Sequence, residues 1–310
     1  LVVLEELAQL ECSEITFLGG EIFLRKDWIP LSQKVIDLGM ELTIITNGTL
    51  VKDEIFDQLL SLPIARLGVS LDGATRETYR AVRGIDAFDR VWGFIQRYRD
   101  SGHSPVSAIT TFSQLNLHEV DALAELLTDS GVIWQVQIAG HVNERFLDNM
   151  FLTREQFRTL CKRVGELSYV DEDRDLTVVM MDDMGYFPMN QDEAPLYDWW
   201  MGCGAGKSVI GVRANGDVLG CLSLGDPFIE ANLKGRKLGD IWRDPTSFSR
   251  MRNKVAHLTG ACKNCPEAER CCAGCAAMAY SATGDIMDNP YCLRRMECED
   301  LIARALPPLP

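Results

Sequence analysis

With 310 residues, 46% hydrophobic and 25% charged, the chain has the size and composition of a folded protein of one large or two ordinary domains. Its net charge of −14 comes from interspersed rather than blocked residues, which argues against nucleic acid as the main partner, since gripping phosphates draws on clustered Lys and Arg. No apolar run approaches the ~18 residues of a membrane span and no signal peptide opens the sequence, so no membrane partner and a cytoplasmic location are expected.

The opening stretch, LVVLEELAQLECSE, starts at Leu1 rather than Met and reads like the middle of a helix. A natural N-terminus lying upstream is therefore expected. EITFLGG then predicts a strand and a glycine turn, and DWIPLSQKVIDLG a helix capped by Asp27 and ended by Gly39. ELTIITNG and KDEIFDQLLSL continue as strand and helix, followed by the strand ARLGVSLDG. In the next helix Phe88, Val91, Trp92, Ile95 and Tyr98 recur at helical spacing. PVSAITTF, LHEVDALAELLTDSG and VIWQVQIAG add a strand, a helix and a strand. This alternation predicts an α/β fold with a parallel sheet over residues 1–140, either open or closed into a barrel.

In such sheets ligands gather at the C-terminal strand ends. Each predicted strand ends in small or polar residues: Gly19-Gly20-Glu21, Thr46-Asn47-Gly48, Ser70-Leu71-Asp72-Gly73, Thr110-Thr111 and Ala139-Gly140. Such residues also form ordinary turns, and it is their shared rim that suggests a site.

Residues 141–200 lose the alternation and read as a bridging segment. It holds a helix (TREQFRTLCKRVGELS), a strand (LTVVMM) and acidic Asp182 and Asp183, which are expected in a solvated loop. Residues 201–310 form a cysteine-rich region, and the closing LPPLP is expected to fray.

Nine of the eleven cysteines lie between 203 and 298, while Cys12 and Cys161 stand alone. Disulfide-dense domains are small and poor in core, unlike this chain, so metal ligation is favoured. Four thiolates suit either a zinc ion or an iron–sulfur cube, but seven ordered cysteines exceed what one zinc can use. MGCGAGKS imitates a phosphate-binding loop but has Met201 where the first glycine is required, and it leads into a hairpin around Asn215-Gly216.

The order is Cys203, twelve residues, Gly216, four residues, Cys221, then Cys262-x2-Cys265-x5-Cys271-x3-Cys275, then Cys292. It resembles the seven-cysteine signature of the SPASM domain, the auxiliary-cluster domain of many radical S-adenosylmethionine enzymes. The resemblance implies two 4Fe–4S clusters, one on Cys262, Cys265, Cys271 and Cys292, the other on Cys203, Cys221 and Cys275. Some relatives add a cysteine six residues after the first, where this chain has Val209. Cys272 and Cys298 fall outside the signature and are expected to be free and buried, although Cys272 could join the three-cysteine set.

FLGGE is similar to the Gly-Gly-Glu motif of the radical S-adenosylmethionine barrel. The resemblance implies that the backbone at Gly19 and Gly20 and the carboxylate of Glu21 hold the cofactor's ammonium, with Ile22 replacing the usual Pro. GVSLDG resembles the fourth-strand motif, in which Ser70 and Asp72, two apart on a strand, face the ribose and carboxylate. Asn47 is a weaker rim candidate. The family's CxxxCxxC does not occur here and is expected upstream of Leu1, on the first strand of a (β/α)6-type barrel of which this chain holds the remainder. Residues 1–310 alone are accordingly expected to be inactive.

The resemblance implies an enzyme that releases a 5′-deoxyadenosyl radical to modify a peptide or protein, with a flavodoxin or ferredoxin as electron donor and auxiliary clusters that accept an electron or bind substrate. The alternatives are tailoring of a haem or other cofactor precursor, or a non-catalytic iron–sulfur or zinc scaffold. The branch that matures sulfatases has an Asp after the cysteine of Gly-x4-Cys. Leu222 stands there, so that activity is not assigned.

Overall fold

The first apolar run is helix α1 (Val2–Gln9), with Leu4 and Leu7 buried. There follow β1 (Glu14–Phe17), α2 (Trp28–Asp37), β2 (Glu41–Thr46), α3 (Asp53–Leu60), β3 (Arg66–Ser70), α4 (Arg76–Arg83), α5 (Phe88–Asp100), β4 (Val106–Phe112), α6 (Val120–Leu127), β5 (Ile133–Ile138), α7 (Arg154–Ser168) and β6 (Val178–Met180). The computed structural model describes residues 1–140, 150–168, 175–185, 187–189 and 201–305. The LPPLP tail and most of the stretch after Met189 lie outside them.

The six strands form one parallel sheet in chain order, as expected for a partial (β/α) barrel. The β2–β3 register pairs Thr46 with Val69, bringing the ends of these two strands together. Strands β2, β3 and β4 are buried along most of their length, as strands covered on both faces are, whereas β1 and β5 alternate in exposure. Leu42, Ile44, Leu67 and Val69 are fully buried, as are Val91 and Ile95 of α5 and Leu123 and Leu127 of α6. Trp134 packs edge-on to Phe112 at 6.2 Å and donates its indole N–H to Thr110 Oγ1 at 2.9 Å. Thr110 in turn donates to the carbonyl of Leu71 at 2.8 Å, so the buried polar groups of the last strands reach the loop after β3.

Two local expectations change. Asp27 occupies the N-cap position of α2 but makes no capping bond. Arg25 takes its carboxylate in two bonds of 3.0 and 2.8 Å, a charge-assisted fork stronger than a neutral cap. Helix α4 is not among the elements expected from sequence, although Thr75 accepts from Thr78 N at its start and left-handed Gly84 closes it.

The second sheet is antiparallel: β7 (Gly211–Val212), β8 (Asp217–Leu219) and β9 (Ile229–Asn232). Its first two strands form the hairpin expected around Asn215-Gly216, and β9 is an addition. The remaining helices are mostly short: α8 (Leu238–Arg243), α9 (Ser249–Arg252), α10 (Ala268–Cys271), α11 (Ala276–Thr283) and α12 (Leu293–Ala305). The chain divides into two compact units, Leu1–Val136 with Arg163–Val179, and Gln137–Lys162 with Met180–Pro310. Among the described residues no helix is long and apolar enough to cross a membrane.

Candidate cofactor rim and cluster sites

After β1 the chain turns through Gly19 (φ +87°) and Gly20 (φ +54°), left-handed values that residues with a Cβ rarely adopt. No atom lies within 4 Å of where a Cβ would sit on either, so the backbone here is open to a ligand. The turn delivers Glu21, buried at 8% exposure, to the end of β2. Glu21 Oε1 accepts from Thr46 Oγ1 at 2.7 Å and Phe23 N at 3.4 Å, and Oε2 accepts from Asn47 N at 2.9 Å. A carboxylate has about four lone-pair sites, so these bonds orient it and leave capacity for a cation. Asn47 contributes its backbone N–H to this arrangement. Its side chain is spent on its own turn, with Oδ1 accepting from Thr49 N at 2.8 Å and Thr49 Oγ1 at 2.6 Å.

Ser70 is the last residue of β3 and is partly exposed. Asp72 lies beyond the strand and is 2% exposed. Its Oδ2 accepts from Arg83 at 3.0 Å and its Oδ1 from Thr111 N at 2.7 Å. Asn116 Nδ2 donates to the Asp72 carbonyl at 3.0 Å and to Thr111 O at 3.1 Å. The Glu119 carboxylate accepts from Ala74 N at 2.7 Å and Thr75 Oγ1 at 2.6 Å. Asp72 thus ties the end of β3 to β4 through Thr111 N–H and to α4 through the Arg83 ion pair. Arg83, Asn116 and Glu119, which build this loop, carry no motif that singles them out in the sequence.

In the second unit burial and neighbouring thiols act on several of the signature cysteines. Ionised Cys271 would be repelled by Cys292, Cys262 and Cys265, and burial, the larger effect, pushes its thiol up to about 12. Burial likewise lifts Cys262 to about 11 and raises Cys292. Cys275 is driven well above the usual thiol range by burial first, then by Cys203, Asp183 and Cys221. Backbone N–H groups pull the other way: Gly274 on Cys271, Met278 on Cys275, and Arg295 and Arg294 on Cys292. Cys275 is the N-cap residue of α11 and Cys292 immediately precedes α12, positions where a helix N-terminus favours a thiolate.

Buried, mutually repelling thiols with N–H donors aimed at sulfur fit a cationic iron–sulfur core that makes them thiolates. Among the described residues no group of three or more His, Cys, Asp or Glu is drawn together tightly enough for a single metal ion.

The backbone between the two sets is unusual. Cys272 (φ +51°), Ala273 (φ +58°) and Gly274 (φ +64°) form a left-handed run joining Cys271 to Cys275. Two of the three carry a Cβ, at a cost of about 1–2 kcal/mol each. Gly202 (φ +80°) lies against this strand of chain: a Cβ there would come within 2.7 Å of the carbonyl oxygens of Arg270 and Cys271. That close approach brings Cys203 to the turn.

Cys272 is 3% exposed, as expected, and its thiol donates to Glu269 O at 3.3 Å while accepting from Lys207 Nζ at 3.6 Å. Cys298 is only partly buried, its sulfur 3.4 Å from Met189 Sδ. The loop expected around Asp182 and Asp183 is instead a 3-10 turn, Asp182–Met184. Asp183 is not simply solvated there, because its Oδ2 accepts from Ile138 N at 2.6 Å and its charge acts on Cys275 and Cys161. The phosphate-loop imitation at 201–208 is a turn, with Ser208 and Val209 N–H groups both donating to Gly204 O at 3.0 Å.

Residues 2–127 match the family model of the radical SAM superfamily, and residues 203–266 that of an iron–sulfur cluster-binding domain, SPASM. Over 94% of its length the chain is 28% identical to an AdoMet-dependent heme synthase from Methanosarcina barkeri, covering 85% of that protein. It is 25% identical to the mycofactocin maturase MftC of Mycobacterium tuberculosis over 93% of this chain and 72% of the relative. The fold matches crystalline SuiB of Streptococcus suis with a TM-score of 0.73 at 18% identity, over 94% of this chain and 69% of SuiB. Structures of SuiB bound to S-adenosylmethionine and to its precursor peptide SuiA match as well.

Proposed function

The chain belongs to the radical S-adenosylmethionine proteins that carry an iron–sulfur SPASM domain, and from that premise we propose that it takes part in oxidative modification of a peptide or protein. What supports this reading is the cysteine-rich second unit, whose match to an iron–sulfur cluster-binding domain provides for auxiliary clusters that can take up an electron or bind substrate. A peptide is preferred because the similar proteins include a maturase and a protein bound to a precursor peptide.

When bound and reduced, the family's cofactors supply a carbon-centred radical that takes a hydrogen atom from the substrate. In this chain Glu21, oriented by Thr46 and Asn47 N–H, would accept the cofactor's ammonium, and the open backbone at Gly19 and Gly20 would line it. Ser70 would offer its hydroxyl from the end of β3. Asp72 would act chiefly by holding the loop, since Arg83 and Thr111 already occupy its carboxylate. Cys262, Cys265, Cys271 and Cys292 would hold one cube and Cys203, Cys221 and Cys275 the other. A flavodoxin or ferredoxin would deliver the electrons.

A second reading, tailoring of a haem precursor, is favoured by the higher identity to the heme synthase. The test is anaerobic reconstitution of the full-length protein, followed by S-adenosylmethionine, a one-electron reductant and either deuterated candidate peptides or a deuterated haem-precursor tetrapyrrole. Deuterium appearing in 5′-deoxyadenosine from peptide supports the first reading, and from tetrapyrrole the second. Stoichiometric zinc without sulfide would overturn both. Glu21→Gln should weaken S-adenosylmethionine binding by roughly tenfold or more, as loss of a charge-assisted bond does.

A further inference from the structure

Lys254 opens the 3-10 turn after α9, and only 1% of it is exposed. Lysine is almost never buried so completely unless it is paired. Among the described residues no carboxylate forms an ion pair with it. Its Nζ donates to the carbonyl of Gly274 at 3.4 Å, within the left-handed run that joins Cys271 to Cys275.

The anionic groups that act on it are sulfurs. Cys203 and Cys275 come first, followed by Cys272 and Cys271. Burial works to strip the ammonium of its proton, and these thiols work to keep it. As protonated thiols they would give a buried cation nothing to neutralise. As ligands of a cluster they become thiolates whose combined charge outweighs that of the iron–sulfur core, and each added electron increases the imbalance. A buried ammonium beside them is then a counter-charge in a medium that screens poorly. The second lysine near the turn, Lys207, reaches Cys272 and is exposed, so its charge is largely answered by water.

We propose that Lys254 is the buried counter-cation beside Cys203 and Cys275, raising the reduction potential of the cluster those cysteines help to hold. Lys254 keeps its proton as one electron is added, and no bond is made or broken in that step. The inference rests on the proposed assignment of two auxiliary clusters. It makes Lys254 a positioning residue, acting on the reaction only through the cluster.

The experiment uses full-length protein, reconstituted anaerobically as wild type, Lys254→Gln and Lys254→Arg. Iron and sulfide content of the wild type tests the two-cluster assignment by itself. A potentiometric titration followed by electron paramagnetic resonance tests the role of Lys254. Gln can still donate to Gly274 O but carries no charge. With iron content retained, Lys254→Gln should make one auxiliary cluster harder to reduce by at least tenfold in its equilibrium, about 59 mV for one electron, with Lys254→Arg close to wild type. An unchanged potential in an iron-replete Gln variant overturns the proposal. If Gln loses iron and Arg retains it, the requirement for a cation is supported. If Arg loses it too, Lys254 serves packing and the proposal falls.

Discussion

At the rim of the parallel sheet the acidic side chains already have donors: Glu21 takes Thr46 and Asn47 N–H, and Asp72 takes Arg83 and Thr111 N–H. Among the thiols of the second unit the balance is reversed. Cys262, Cys271, Cys275 and Cys292 are half-buried where ionisation is opposed, and nearby thiols oppose it further. The rim is complete as protein, held by apolar strands and satisfied polar bonds. The cysteine turns are built from short helices and a left-handed run, and their chemistry closes only when a cationic core converts thiols to ligands. The polar groups of the rim are answered within the protein, while these thiols are left to be answered by a bound group.

Iron removal should separate the two most strongly. Cys292→Ala in reconstituted protein is expected to lose about four of about eight irons, the content of one cube in two. Amide exchange should then accelerate around α10–α12 while β2–β4 stay protected. Equal acceleration in both units would break the comparison.

Arg83→Met attacks the rim from the protein side. It removes the ion pair of the buried Asp72 carboxylate, and should destabilise the sheet unit by about 3–5 kcal/mol in urea unfolding. The double change Arg83→Met with Asp72→Leu should recover much of that loss, because no charge is then stranded. Iron content should be unaffected in both variants.

The smallest effect is on pH. In metal-free protein Cys262 is lifted to about 11 and Cys271 to about 12 by burial, against about 8.5 for an unfolded thiol. Between those values the unfolded chain has lost protons that the folded chain still holds, so stability is full below about pH 8.5 and falls as pH rises. Cys262 is partly solvated, so Cys271 should contribute the larger share of a loss on the order of 2 kcal/mol. Urea midpoints of the metal-free protein at about pH 8 and about pH 10.5 measure it. Iron-loaded protein, whose thiols are already deprotonated, should show little change over the same interval.

The sequence by itself determined the alternating strands and helices, the parallel sheet and the crowding of cysteines toward the C-terminal end. Those features are local: apolar periodicity, turn glycines and spacing along the chain are sufficient to read them. Helix α4 was also marked locally, by Thr75, by Gly84 and by Tyr79 and Val82 three apart on its buried face. Only the tertiary structure decided what the rim residues do. Asn47 serves through its backbone N–H and Asp72 through Arg83, eleven residues away along the chain, and neither role leaves a mark in residue order. The same holds for Asp183, whose carboxylate accepts from Ile138 N–H, and for Lys254, which in sequence is one lysine among surface charges. Burial and the direction of a hydrogen bond depend on what distant segments bring to a residue, and only folding brings those segments together.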